Sequence, residues 1–364
     1  MLIEVSGGGR GIRTLETICR STAFRVPRNK PDYAIPPSAQ RVVCEDPEFK
    51  HQVAAQRIVA WPRNRYNTHI DVQKIMPIRK AIIPVAGMGT RFLPASKAQP
   101  KEMLPVVDKP VIQYIVEEAV ASGIEEIIFV TALGKRALED HFDRNFELEY
   151  RLEQKKKLEA LEEVSKIGKL AKFAFVRQAK PLGDGHAILS ALPFVDADEP
   201  VAILFGDDII AGKKPAIGEL IKLHEKYGDP IAAIEEVPWK DVSRYGVIGG
   251  VEINDTAWEI ERFVEKPERK KAPSNLGVVG RYVITPDIIR ILKTQKPGKD
   301  GEIRLADAFI THLKNKKAMY GCKFSGNRYD CGNKFGFLRA QIELGLKHKE
   351  VRSQLRRYLK NLPL

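Results

Sequence analysis

No apolar run of about 18 residues, the length a membrane-crossing helix needs, occurs in the 364-residue chain, so no membrane partner is expected. The opening residues lack a charged start leading into an apolar stretch and a small-residue cleavage site, so no secretory leader is expected either. Cysteine is scarce. Cys19, Cys44, Cys322 and Cys331 form no CxxC pair, and no histidine-rich spacing accompanies them. This suggests neither a zinc site nor a disulfide framework, and a reducing cytoplasm is the expected setting. No internal repeat is visible. Two nucleotide fingerprints are also missing. GxxxxGK[ST] does not occur, and the GxG stretch that begins at Gly87 has Phe92 at the third glycine position of GxGxxG. A Walker A loop and a dinucleotide-binding turn are thereby excluded.

What remains is a chain 43% hydrophobic, enough for one large α/β domain or two ordinary ones. The net charge of +13 fits either a nucleic-acid binder or an enzyme for phosphate-bearing substrates. The basic residues are spread along the chain, without the interleaved aromatics of a base-stacking surface. No nucleic-acid partner is expected.

Residues 1–75 differ from the rest. They hold Arg/Pro clusters such as Arg25-Val26-Pro27-Arg28-Asn29-Lys30-Pro31 and no sustained period. They are expected to be a disordered or non-native extension, with Met76 as the natural start. A genuine disordered segment and an Arg-rich targeting peptide are the alternatives, the latter disfavoured by its acidic residues. From Lys80 onward, buried strands are predicted at 81–85, 127–131, 173–177, 201–205 and 231–235. Amphipathic helices are predicted at 111–122, 135–142, 186–192 and 217–227, the first ended by Gly123. The charged stretch 141–172 carries Leu148, Leu152, Leu158 and Leu161 at helical spacing, and reads as an exposed helix or helical pair. Strands at 245–253, 258–265 and 276–284 and helices at 303–313 and 335–346 follow. This order predicts an α/β fold with a mixed, mainly parallel sheet covered by helices on both faces. Residues 76–350 form one domain in this reading, with 76–237 on one side of a cleft, 238–350 on the other, and 351–364 as a basic tail.

The first strand runs into Ala86-Gly87-Met88-Gly89-Thr90-Arg91-Phe92-Leu93-Pro94. Glycine tolerates a tight turn and lets backbone N–H groups approach phosphate oxygens. Alone, the two glycines support a turn more than a phosphate loop. Arg91, Lys97 and Lys101 add the positive charge a triphosphate needs. Gly206-Asp207-Asp208 ends another strand, at the sheet edge where α/β ligands collect, and adjacent carboxylates there suit magnesium as well as a solvated turn.

At these residues the chain resembles the sugar nucleotidyltransferases, whose signature continues here as Ser96-Lys97-Ala98-Gln99-Pro100-Lys101-Glu102-Met103-Leu104-Pro105. The continuation Val106-Val107-Asp108-Lys109-Pro110-Val111-Ile112-Gln113-Tyr114 is similar to the branch that uses UTP and glucose 1-phosphate. The resemblance implies a Rossmann-like fold of the nucleotide-diphospho-sugar transferase type and a homodimer or homotetramer. It implies that Arg91, Lys101, Asp207 and Lys266 are catalytic. Ala86, Gly87, Gly89, Thr90, Glu102, Gln178, Gly183 and Asp208 would bind the nucleotide, with the Gln178 amide reading the uracil imide edge. Gly246, Glu265, Lys266, Asn275 and Gly280 would bind the sugar phosphate. Mg2+ would sit on Asp207 and Asp330, the latter in the late turn Tyr329-Asp330-Cys331-Gly332. Asp184 and Gly206 depart from the usual pattern. A sibling enzyme using dTTP or ATP, and a catalytically silent regulatory paralogue, are the alternatives.

Overall fold

The computed structural model describes residues 76–363; the expectations for residues 1–75, Cys19 and Cys44 among them, lie outside the described residues. Strand β1 (Lys80–Pro84) leads through three single 3-10 turns to a small hairpin, β2 (Pro105–Val106) and β3 (Lys109–Pro110). Then come α1 (Val111–Ala121), β4 (Glu126–Thr131), α2 (Arg136–Phe142), α3 (Phe146–Gln154), α4 (Leu158–Ile167) and β5 (Lys172–Arg177). Next are α5 (Asp184–Ala191), β6 (Val201–Leu204), β7 (Asp208–Ala211), α6 (Ala216–Tyr227) and β8 (Ile231–Glu236). The later part holds β9 (Gly246–Asn254), β10 (Ala257–Glu265), β11 (Leu276–Ile284), α7 (Pro286–Thr294) and α8 (Leu305–Lys314). It closes with β12 (Tyr320–Lys323), β13 (Asn327–Asp330), α9 (Lys334–Gly345) and α10 (Arg352–Lys360).

One nine-stranded sheet has the order β5-β4-β1-β6-β11-β8-β12-β10-β9. Strands β5, β4, β1 and β6 are parallel neighbours. Strand β11 opposes both β6 and β8, and β10 opposes β12 and β9. The sheet is therefore mixed, with only β10 and β11 running against the others. Side chains alternate across it as strand geometry requires. Ala81 and Ile83 belong to one core with residues of α1, α2 and α6, while Ile82 belongs to another with residues of α5, α7 and α8. Helices thus cover both faces, as the alternating pattern predicts.

The predicted elements occur with small shifts at their ends, and Gly123 stops α1 with φ +90. The charged stretch is a helical pair, with Leu148 and Leu158 exposed. Three short strands were not legible. β7, β12 and β13 have four residues each, and β13 reads Asn-Arg-Tyr-Asp. Their state is set by pairing partners distant in sequence rather than by an apolar pattern. The hairpin β2–β3 and helix α7 were missed as well. The basic tail carries a helix, α10, whose Leu355 packs against Gly345. The later part of the chain also returns to the earlier part: β13 pairs with β7, setting Asp330 opposite Asp208.

Candidate active site

The parallel pair β1–β6 places its carboxyl ends side by side, and both signature loops leave from there. After β1, the Cβ position of Gly87 is open, and Gly89 has the left-handed φ of +65. A Cβ on Gly89 would come within 3.2 Å of Ser96, whose hydroxyl donates to the Gly89 carbonyl at 2.7 Å. Phe92 is buried edge-on against Phe337. The loop is thus pinned from inside, while Gly87, Thr90 and Arg91 are exposed and Ala86 is half-buried. Arg91 Nη1 donates to the Gly332 carbonyl at 3.2 Å.

The next turn, Lys101–Met103, aims the Lys101 ammonium at Asp207, Nζ to Oδ2 2.5 Å. Burial works against the Lys101 charge, but Asp207 and Glu102 outweigh it and hold its pKa above the ordinary lysine value. Burial would likewise raise the Asp207 carboxyl. Lys101, and then Arg91, bring it below the usual carboxylate range instead. Gly206, the departure from the usual pattern, is explained by packing: a Cβ there would lie 2.5 Å from Val85 Cγ1.

Asp330 arrives from the far end of the chain. The Cys331 N–H donates to the Asp207 carbonyl at 2.8 Å, and the Gly332 N–H donates to Asp330 Oδ1 at 3.0 Å. A Cβ on Gly332 would stand 2.6 Å from Asp207 Oδ2 and 3.0 Å from Asp330 Oδ1. Both carboxylates therefore border one small space that only a glycine leaves open. Among the described residues no three His, Cys, Asp or Glu side chains converge as a metal site. Two carboxylate oxygens with room for phosphate ligands fit magnesium, which rarely takes an all-protein cage.

Several nucleotide-side residues are placed otherwise than the sequence implies. Asp208 is turned inward: Arg328 Nη1 donates to its Oδ1 at 2.7 Å and the Gly280 N–H to its Oδ2 at 3.3 Å. Glu102 is 2% exposed and paired with Lys135 at 2.8 Å. Burial pushes the Glu102 carboxyl up and the Lys135 ammonium down, so each charge depends on the other. Gln178 spends both amide N–H groups on the Gly183 carbonyl and His186 Nδ1, each at 3.0 Å, which leaves its oxygen as an acceptor. Gly183 makes room for the Ile303 carbonyl, which a Cβ there would meet at 2.5 Å. Its neighbour Asp184 accepts from the Gly185 and Leu305 N–H groups and fixes the same crossing.

The sugar-side glycines are also packing positions. A Cβ on Gly246 would strike the Phe263 ring at 2.7 Å and approach Glu265 Oε2 at 3.0 Å. One on Gly280 would strike Phe205 at 2.7 Å and Asp208 at 2.8 Å. Asn275 donates to the Val237 carbonyl at 3.4 Å. Lys266 is different. It has φ +43, uncommon for a side-chain-bearing residue, and its ammonium is exposed, 3.4 Å from Glu265.

Two framework arginines had no motif to announce them. Arg281 is fully buried and forks onto Glu118, Nη2 to Oε2 2.7 Å. It also donates to the carbonyls of Asp208 at 2.7 Å, Gly280 at 3.0 Å and Phe205 at 3.4 Å, gripping the chain on both sides of Asp207. Arg328 pairs with Asp208 and with Glu235, at 2.7 and 2.6 Å.

The chain matches the family described as nucleotidyl transferase over residues 80–345. It is 50% identical over 287 residues to a UTP–glucose-1-phosphate uridylyltransferase of Staphylococcus epidermidis, covering 79% of this chain and 99% of that protein. A crystal structure of UDP-glucose pyrophosphorylase complexed with UDP-glucose is 43% identical with TM-score 0.68, over 74% of this chain and all of that one. A UTP-bound UGPase from Acinetobacter baumannii is 39% identical with TM-score 0.72, over 79% of this chain and 100% of that one.

Proposed function

The chain belongs to the nucleotidyl transferase family, and from that premise we propose that it transfers the uridylyl group of UTP to glucose 1-phosphate. The observation that carries the reading is the meeting of Arg91, Lys101, Asp207 and Asp330, from three distant segments, around one small space at Gly332. The relatives that share this chain's matched region are named for that reaction or hold its nucleotides.

A sugar 1-phosphate is largely dianionic near neutral pH, so its oxygen needs no general base. That oxygen bonds to the UTP α-phosphorus, the bond from phosphorus to the β-bridging oxygen breaks, and the electron pair leaves with pyrophosphate. The difficulty is bringing two polyanions into line, so catalysis rests on positioning and positive charge. Arg91 and Lys101 stabilise the departing pyrophosphate. Lys266, turned outward by its positive φ, holds the sugar phosphate, and Glu265 accepts from sugar hydroxyls. Asp207 and Asp330 would hold magnesium, which supplies further charge to the phosphate oxygens when bound. The free oxygen of Gln178 accepts from the imide N–H of uracil, which cytosine lacks. Thymine has the same imide, so dTTP is the specific rival substrate.

The +13 charge serves phosphate substrates in this reading, without a nucleic-acid partner. A cytoplasmic setting agrees with the buried free thiols of Cys322 and Cys331. No helix among the described residues is long and apolar enough to cross a membrane. A homodimer or homotetramer would cover the exposed Phe335, Leu338 and Ile342, which line one face of α9 at helical spacing. Pyrophosphate release with glucose 1-phosphate and each of UTP, dTTP, CTP and ATP tests the proposal, with magnesium and with a chelator. UTP should be turned over fastest, and only with the metal. Faster turnover of dTTP or ATP would assign the sibling activity, and none with any nucleotide would favour the silent paralogue.

A further inference from the structure

We propose that Arg328 is a positioning residue that keeps Asp208 out of the cation site, so that Asp207 and Asp330 alone face the metal. The inference rests on the reading of those two carboxylates as its ligands.

Three acids crowd this corner of the fold. Asp330 and Asp208 are register partners on antiparallel β13 and β7, so their side chains lie on the same face within about 5 Å at Cβ. Asp207 immediately precedes Asp208 in the chain. Unopposed, Asp208 would stand beside Asp330 as a third carboxylate, and like charges directly opposite each other on neighbouring strands repel.

Arg328 prevents this through its position. It lies two residues before Asp330 on β13 and therefore shares its face. From there its guanidinium reaches Asp208 at 2.7 Å, Glu235 at 2.6 Å and the Tyr245 hydroxyl at 2.9 Å. The other Asp208 oxygen takes the Gly280 N–H. Both oxygens are occupied, and the carboxylate is held on the framework side. The consequence is a weak two-carboxylate cation site that is completed by substrate phosphates, because ligand charge sets affinity for hard divalent ions. A third free carboxylate would tighten binding of the ion to the empty enzyme, before any nucleotide arrives. The Tyr245 contact extends the same anchor to the sugar side, since the Tyr245 carbonyl accepts the Lys266 N–H at 3.0 Å.

The test is Mn2+ binding to the full chain without nucleotide, followed by paramagnetic resonance of the free ion. Arg328→Met should tighten binding about tenfold, and adding Asp208→Asn to it should return affinity to the wild-type value. In the wild-type background, Asp208→Asn should change affinity less than about twofold, whereas Asp207→Asn should abolish binding. A tenfold loss in Asp208→Asn, with Asp207→Asn also inactive in binding, would make Asp208 a ligand and overturn the role of Arg328 alone. Unchanged binding in a folded Arg328→Met protein would do the same. Binding that survives Asp207→Asn would overturn the cation site itself, and the inference with it. Where Arg328→Met fails to fold, Arg328→Lys takes its place, keeping the charge but losing the fork that holds Asp208, Glu235 and Tyr245 together; it should tighten binding, and unchanged affinity would overturn the inference.

Discussion

Arg91 is exposed and makes one hydrogen bond, to the Gly332 carbonyl. It contributes little to folding and is free to meet a phosphate. Arg91→Ala should therefore lower kcat by about 10²–10³ with no change in melting temperature; near-full turnover would remove Arg91 from catalysis. Asp229 makes a different point. Burial, with Asp287 and Glu259 nearby, pushes its carboxyl from 3.8 up to about 7. The folded state then holds a proton that the unfolded chain has released, so stability falls as pH rises from the ordinary carboxylate range to about 7 and is level above. Asp229→Asn should melt higher than wild type at pH 8, and the gap should close near pH 4. An equal gap at both pH values would contradict the shift. At this scale the sequence was informative where motifs named residues that the fold brings together, as at Arg91, Lys101, Asp207 and Asp330. It was uninformative for Arg281 and Arg328. Their partners Glu118 and Asp208 lie 163 and 120 positions away, and neither the apolar strand around Arg281 nor the polar one around Arg328 gives a local signal of its ion pair.

Elements position these groups by crossing closely, and glycine is what permits the crossing. Gly183, just before α5, has φ +96 and ψ 174, a region essentially closed to other residues. Its missing Cβ is replaced by the Ile303 carbonyl. Gly183→Ala should cost about 1–3 kcal/mol of stability and displace the segment before α8, which a denaturant titration would register; an unchanged midpoint would contradict the packing. The same lesson applies to Gly246 and Gly280. A glycine is required at each, because a Cβ would strike Phe263 at Gly246, and Phe205 and Asp208 at Gly280. Sequence marks the glycine without naming what approaches it. Apolar periodicity marked the long elements well, because strands such as β11 are buried from end to end. It could not mark β7 or β13, whose four residues become strands only by pairing with each other.

At the scale of the whole molecule, one sheet carries both sides of the site. Strands β1 and β6, which carry the Gly87 and Asp207 loops, and strands β9 and β10, which carry Gly246 and Glu265, are joined through β11, β8 and β12. The expected division near residue 237 is not a division of structure, since Asp330 and Gly332 come from the later part and meet Asp207 of the earlier one. The alternating order of elements made this architecture legible, and the two core clusters on opposite sheet faces bear it out. The return of β13 to β7 was beyond reach of the sequence, because nothing in a polar four-residue strand specifies a partner more than a hundred residues back. Uridylyl transfer can be followed directly by incubating the protein with UTP labelled at the α-phosphorus, glucose 1-phosphate and magnesium, then separating the products. All transferred label should appear in UDP-glucose, with unlabelled pyrophosphate and none retained on the protein. Label bound covalently to the chain, or released as UMP without sugar nucleotide, would contradict it.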